Sequence, residues 1–226
     1  MILPNAVRAA IFDMDGTLLD TERLYLRAIS DACSAMRLEA DDGFFLQMLG
    51  TPWSNCYALM ERRFGGGFVR GRFDGLFEDR FGALTRDGIP VKPGVRELLA
   101  HLQSRSTPMA VATSTSGEVA RRQLERAGLL NYFAAQVTAD MVKEAKPAPE
   151  TFLKAAEELA VAPQYCLALE DSPAGVQSAV GSGAMTIMIP DLAPATAAER
   201  SLCVAVVRTM HDVLDYLIAA EAASPV

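Results

Sequence analysis

Residues 9–20 of the chain read AAIFDMDGTLLD. An apolar run from Ala9 to Phe12 stops abruptly at a carboxylate, Asp13. Asp15 follows two residues later, with Gly16 directly behind it. A short, continuously apolar run bounded by polar residues reads as a strand buried on both faces. Two carboxylates that close repel each other, so a cation must hold them or one of them must carry a proton. Their partners have to come from elsewhere in the sequence.

Four more runs of the same kind follow: 107–112 (TPMAVA), 165–169 (YCLAL), 184–189 (AMTIMI) and 203–206 (CVAV). A weaker one spans 134–138. Amphipathic helical spacing lies between them. Val95, Leu98, Leu99 and Leu102 recur at i, i+3, i+4 and i+7, as do Val176, Ala179, Val180 and Gly183, and Met210, Val213, Leu214 and Leu217. Strands alternating with helices predict an α/β fold, a doubly wound, Rossmann-like parallel sheet. Residues 21–88 differ, with helical periodicity (Leu24, Ala28, Ile29, Ala32, Met36), a Gly65-Gly66-Gly67 break and no convincing strand. The expected organisation is therefore a core domain of residues 1–20 and 89–226, with a helical cap domain, 21–88, inserted after the first strand.

Composition narrows the function classes. Of 226 residues, half are apolar and 22% charged, the profile of a globular protein, and the net charge is −7. Nucleic-acid binding needs clustered lysine and arginine, which this balance argues against. No apolar run approaches the ~18 residues a membrane-spanning helix needs. No basic segment followed by a long apolar stretch reads as a signal peptide, so the expected location is cytoplasmic. Cys33, Cys56, Cys166 and Cys203 are widely spaced, form no CxxC pair and sit among apolar residues, which reads as free buried thiols.

Ligands of open α/β sheets bind beyond the carboxyl ends of the strands. There the sequence places Asp13-Met14-Asp15-Gly16-Thr17, Thr113-Ser114-Thr115-Ser116 and Glu170-Asp171-Ser172, with Lys146 ahead of the helix that starts near Pro149. Each piece alone has an ordinary reading. The two aspartates could be a turn acid and a helix cap, Thr113–Ser116 could cap the next helix, and Glu170-Asp171-Ser172-Pro173 is a good helix start. Lys146 could be a solvated surface lysine. An EF-hand loop is excluded, because Leu18 stands where its glycine belongs. All four together, each at a strand end, point to one site.

These residues resemble the motifs of the haloacid dehalogenase superfamily: DMDGT (13–17), Thr113 after an apolar strand, Lys146 in AKPAPETF, and LEDSPAGVQSA (169–179). The helical insert after the first motif is similar to the small-cap subgroup that includes β-phosphoglucomutase and sugar-phosphate and phosphoglycolate phosphatases. The resemblance implies Mg²⁺ as cofactor, held by the carboxylates of Asp13 and Asp171 and the backbone carbonyl of Asp15, with Glu170 a further candidate ligand, directly or through water. It implies Asp13 as nucleophile through an aspartyl-phosphate and Asp15 as general acid and base. Lys146 would pair with Asp13 and a phosphate oxygen, while Thr113, Ser114 and the backbone around Met14 donate to the phosphoryl group.

The cap is expected to close over the site and supply specificity. Its 49–53 stretch, LGTPW, resembles the substrate-contacting loop, which makes Gly50 and Trp53 candidate contacts; Trp53 reads equally as core packing. Tyr25 either faces the cleft or packs between helices. The expected reaction is hydrolysis of a small phosphorylated metabolite by a monomer, with no nucleic-acid or membrane partner. A phosphosugar mutase is the alternative, and a catalytically idle binding module a third reading. Mutases of this type hold a second phosphate with a cap arginine and a Lys-Asn pair, and carry a hinge histidine. Those positions align here with Trp53, Ser116-Gly117 and Tyr25, which favours hydrolysis.

Overall fold

The structure, a computed structural model, describes residues 3–48 and 53–222. The first strand, β1 (Ala9–Phe12), is entirely buried. Five helices follow before the next strand: α1 (Glu22–Ala35), α2 (Asp42–Leu46), α3 (Trp53–Phe64), α4 (Arg70–Leu84) and α5 (Val95–Ser104). Strands and helices then alternate: β2 (Met109–Ala112), α6 (Gly117–Ala127), β3 (Ala135–Val137), α7 (Glu150–Glu158) and β4 (Cys166–Glu170). The chain continues through α8 (Pro173–Gly181), β5 (Met185–Met188), α9 (Ala197–Leu202), β6 (Ala205–Val206) and α10 (Met210–Ala222).

The six strands form one parallel sheet in the order β3-β2-β1-β4-β5-β6. β1 is central, with Ala10 opposite Met109 of β2 and Leu167 of β4. Helices cover both faces of such a sheet, so β1, β2 and β4 carry no polar side chain until they end. On one face Ile11, Ala110, Ala112, Val137 and Ala168 pack with Phe152 and Ala155 of α7. The chain leaves β1 toward β2 and β3 on one side, then returns to β4 on the other. The topological switch point, where open sheets bind ligands, therefore lies between the ends of β1 and β4.

The strands are shorter than the apolar runs. β2 starts at Met109, after Pro108, which has no N–H to give a ladder. At the far edge only Ala205–Val206 pairs, because Cys203 N–H closes α9 by donating to the Glu199 carbonyl (3.0 Å). That helix escaped the sequence reading, although Thr196 and Glu199 form a full capping box at its start.

The chain divides into two compact units, one of residues up to Leu19 together with Val91 onward, the other Asp20–Pro90. The second unit has its own core, with Ile29, Ala32, Cys33 and Met36 packed with Phe45, Met60, Phe68 and Phe73. The glycine run Gly65–Gly67 is a single 3₁₀ turn between α3 and α4. Among the described residues this unit contains no strand. Phe73, Phe77 and Phe81 recur every four residues along α4 and stack in series. Tyr25 of α1 lies parallel to Phe81, with ring centroids 4.7 Å apart, and Trp53 meets Phe77 edge-on at 4.8 Å.

Candidate active site

Asp13 is the first residue beyond β1, and its N–H still extends the ladder by donating to the Leu169 carbonyl (2.9 Å). Its side chain is thereby fixed at the strand's carboxyl end, beside the end of β4, where Glu170 and Asp171 project. Carboxylate oxygens of Asp13, Glu170 and Asp171 lie within 4.8 Å of one another, and all three residues are buried. Lys146 enters this cluster with a side chain only 6% exposed. Its ammonium donates to Asp13 Oδ1 (2.6 Å), Glu170 Oε1 (2.7 Å) and the Ala112 carbonyl (2.9 Å), which uses all three of its protons. The segment carrying Lys146 is anchored by Glu150, which accepts from the backbone N–H groups of Lys143 and Glu144.

Both oxygens of Glu170 are engaged. Its Oε1 holds Lys146, while Oε2 accepts from Asp171 N–H, Ser172 N–H and the Ser172 hydroxyl at 3.0–3.1 Å. Ser172 also caps α8, accepting from Gly175 N–H, and Pro173 occupies the first helical position. Gly175 leaves room for Glu170, since a Cβ there would lie 1.7 Å from Oε1. Gly16 serves Asp171 in the same way. It turns the chain at φ +84°, and a Cβ would lie 2.4 Å from Asp171 Oδ2. Thr17 donates to Asp171 Oδ1 (3.0 Å).

Asp15 is half-buried, and its Oδ2 accepts from the Thr115 hydroxyl (2.7 Å). Thr113 is buried, and its oxygen accepts the Thr115 N–H (3.0 Å), so its own proton remains a donor. Ser114 is exposed. Met14 is completely buried, so only its backbone is available to a ligand. The sequence-derived residues Asp13, Lys146, Glu170 and Asp171 therefore meet in one cluster, and Thr113, Thr115 and Asp15 are tied together beside Asp13. Gly50 lies outside the described residues. Tyr25 and Trp53 belong to the aromatic cluster of the Asp20–Pro90 unit, where Trp53 keeps 38% of its surface exposed.

The electrostatics follow from burial. Desolvation pushes the Asp13 carboxyl well above its usual range; Lys146 opposes this, and the negative charges of Glu170 and Asp15 add to it. Burial alone would lower the Lys146 pKa, but the Asp13 and Glu170 carboxylates outweigh it and the ammonium is held above its ordinary value. Three buried carboxylates thus face one buried ammonium, an imbalance that a divalent cation would correct. The donors are hard oxygens, which suits Mg²⁺ or Ca²⁺ rather than a thiophilic metal.

Residues 10–189 match the family of haloacid dehalogenase-like hydrolases. The chain belongs to that family. This hydrolase is 31% identical over 177 residues to a phosphorylated carbohydrates phosphatase of Thermotoga maritima, covering 78% of this chain and 82% of the relative. It is 33% identical to the fructose-1-phosphate phosphatase YqaB of Escherichia coli, over 76% of this chain and 91% of the relative. Among solved structures, CbbY of Rhodobacter sphaeroides in complex with phosphate superposes with a TM-score of 0.78 at 28% identity, covering 92% of this chain and 96% of the other.

Three residues of the hydrolase's site escaped the sequence reading. Gly175 stood in the EDSPAG stretch, but its closeness to Glu170 depends on how tightly the chain turns from β4 into α8. Thr115 was one of four hydroxyl residues in a row, with nothing to single it out. Asp140, after β3, caps α6 from another loop, accepting from Gly117 N–H (2.9 Å) and the Thr138 hydroxyl (2.6 Å). The four cysteines are free, and burial pushes each thiol up to about 11; Cys33, Cys56 and Cys166 are buried as expected, whereas Cys203, at the end of the short α9 on the sheet's edge, is only half-buried. His101 pairs with Glu221 of α10 and His211 with Glu97 of α5; neither belongs to the acidic cluster. No helix among the described residues is long and apolar enough to cross a membrane.

Proposed function

We propose that this hydrolase is a Mg²⁺-dependent phosphatase of small phosphorylated metabolites, phosphosugars foremost, working through an aspartyl-phosphate on Asp13. The observation that carries this reading is the buried Asp13–Lys146–Glu170 bridge beside Asp171 at the sheet's switch point. Bound by Asp13, Asp171 and the Asp15 carbonyl, Mg²⁺ would neutralise the phosphoryl dianion and favour the ionised Asp13. Glu170, engaged by Lys146 on one oxygen and by Asp171 and Ser172 on the other, acts as the brace for Lys146 and the loop of Asp171. Lys146 holds one oxygen of Asp13 in place and presents positive charge where phosphoryl charge accumulates.

In the first half-reaction an Asp13 oxygen bonds to phosphorus, the ester P–O bond breaks, and Asp15 gives its proton to the departing oxygen. In the second, Asp15 takes a proton from water as the water oxygen bonds to phosphorus and the Asp13–P bond breaks, releasing phosphate. The Thr113 and Ser114 hydroxyls and the backbone around Met14 donate to the phosphoryl oxygens. Tyr25, Trp53 and Gly50 are assigned to substrate selection. The mutase reading is disfavoured by Ser116 and Gly117. Neither carries a cation, and Gly117 is engaged with Asp140 through its backbone.

Phosphate release from a panel of phosphorylated sugars and acids, with Mg²⁺ and with EDTA, tests the proposal. Metal-dependent release from monophosphates is expected. Conversion of β-glucose 1-phosphate to glucose 6-phosphate, primed by glucose 1,6-bisphosphate and yielding little free phosphate, would establish the mutase instead. No metal-dependent turnover on any substrate would leave the binding module.

A further inference from the structure

Thr115 lies two residues beyond Thr113 and 100 residues from Asp15, yet its hydroxyl donates to Asp15 Oδ2 at 2.7 Å. Its backbone is held at both polar groups. The N–H donates to Thr113 Oγ1 (3.0 Å) and the carbonyl accepts from Ala139 N–H (3.1 Å). Two residues on, Gly117 N–H donates to Asp140, which the Thr138 hydroxyl also engages. The loop after β3 thus braces the loop after β2, and the Thr115 hydroxyl is presented to Asp15 from a fixed backbone. A threonine placed only to end a strand or start a helix requires none of this. Ser116, at the N-cap position of α6, makes no side-chain cap, because Asp140 does that work from outside.

We infer that Thr115 is a positioning residue for Asp15, fixing the orientation of its carboxyl group. This rests on the reading of Asp15 as general acid and base. Held at Oδ2 by a hydroxyl on a fixed backbone, the carboxyl group keeps one orientation while Asp15 gives its proton to the ester oxygen as the ester P–O bond breaks and takes one from water as the Asp13–P bond breaks.

Two aryl phosphates that differ in leaving-group basicity expose the role. Phenyl phosphate needs its leaving oxygen protonated far more than 4-nitrophenyl phosphate does, and kcat/KM reports only the steps through the first transfer. The experiment measures kcat/KM for both with Mg²⁺ in the wild type, Thr115→Val, Thr115→Ala, Thr115→Ser and Asp15→Asn, with melting temperatures recorded. Thr115→Val and Thr115→Ala are expected to lose about tenfold on phenyl phosphate and no more than roughly twofold on the nitrophenyl ester, as misplacing a general acid predicts. Thr115→Ser is expected to restore the phenyl phosphate rate. Should Val fail to fold, the Ala and Ser pair carries the comparison. Selective loss in Asp15→Asn but equal losses on both esters in the Thr115 variants would overturn the positioning role alone. No selectivity in Asp15→Asn would overturn the general-acid reading and this inference with it.

Discussion

Gly175→Ala isolates the packing on which the site depends. In a helix this exchange ordinarily stabilises by up to ~1 kcal/mol. Here the new Cβ would fall 1.7 Å from Glu170 Oε1 and 1.9 Å from Cδ, far inside contact distance. Glu170 cannot step aside, because it is fully buried and held by Lys146 and by three donors on Oε2. Admitting the methyl displaces the carboxylate. Hydrogen bonds to a charged group are worth about 1.5–3 kcal/mol each, so losing two of the four costs about 3–6 kcal/mol, to which overpacking strain adds. A net loss of about 4 kcal/mol is expected, lowering Tm by about 8–16 °C for a chain of this length.

The assay is thermal unfolding of the metal-free protein, with Gly181→Ala as control in the same helix. There the nearest atom is Pro149 Cβ at an ordinary 3.5 Å, so that variant should melt at or above the wild type. In a Glu170→Ala background the cost of Gly175→Ala should largely vanish, since the obstructing group is gone. A Gly175→Ala protein as stable as the wild type, or an equal cost in both backgrounds, refutes the reasoning.

Asp13→Asn should fold and lose turnover to background; substantial activity in the purified variant rules out attack by Asp13. EDTA should abolish activity and Mg²⁺ restore it, and Mg²⁺ should also raise the melting temperature, by about 2.7 kcal/mol of stability at a hundredfold excess over Kd. Asp171→Asn should remove most of that rise and Glu170→Gln much less of it, whereas equal losses would place Glu170 on the metal. Asp140 is held below the ordinary 3.8 by the Thr138 hydroxyl and the Gly117 N–H, so its contribution is full above 3.8 and fades as pH falls through its folded value. Asp140→Asn should accordingly melt below the wild type at neutral pH, with the gap closing in acid; a gap independent of pH would show that the charge is not what matters.

Much of this was legible in the sequence because a parallel sheet buried on both faces writes its strands as uninterrupted apolar runs. Where such a run ends, a side chain can be polar, so Asp13, Thr113 and Glu170 announced the sheet's functional edge. Lys146 was legible only as part of a pattern, since one lysine gives no sign of being buried between two carboxylates. Strand lengths were overestimated where backbone hydrogen bonds were committed elsewhere, as at Cys203. The Thr115–Asp15 and Asp140–Gly117 bonds were invisible for a different reason. They join loops that only the strand order brings together, and local pattern carries no information about which loops become neighbours.

Three buried thiols give the chain an internal clock for its own opening. Cys33 and Cys56 lie in the Asp20–Pro90 unit and Cys166 in the other. At neutral pH each is protonated and covered, so an alkylating reagent gains ready access only when the surrounding structure loosens, whereas the half-buried Cys203 supplies an accessible reference. Peptide-resolved labelling rates would therefore time the breathing of each unit separately, under native conditions and without an introduced probe. They would also show which unit quiets when a phosphorylated ligand binds.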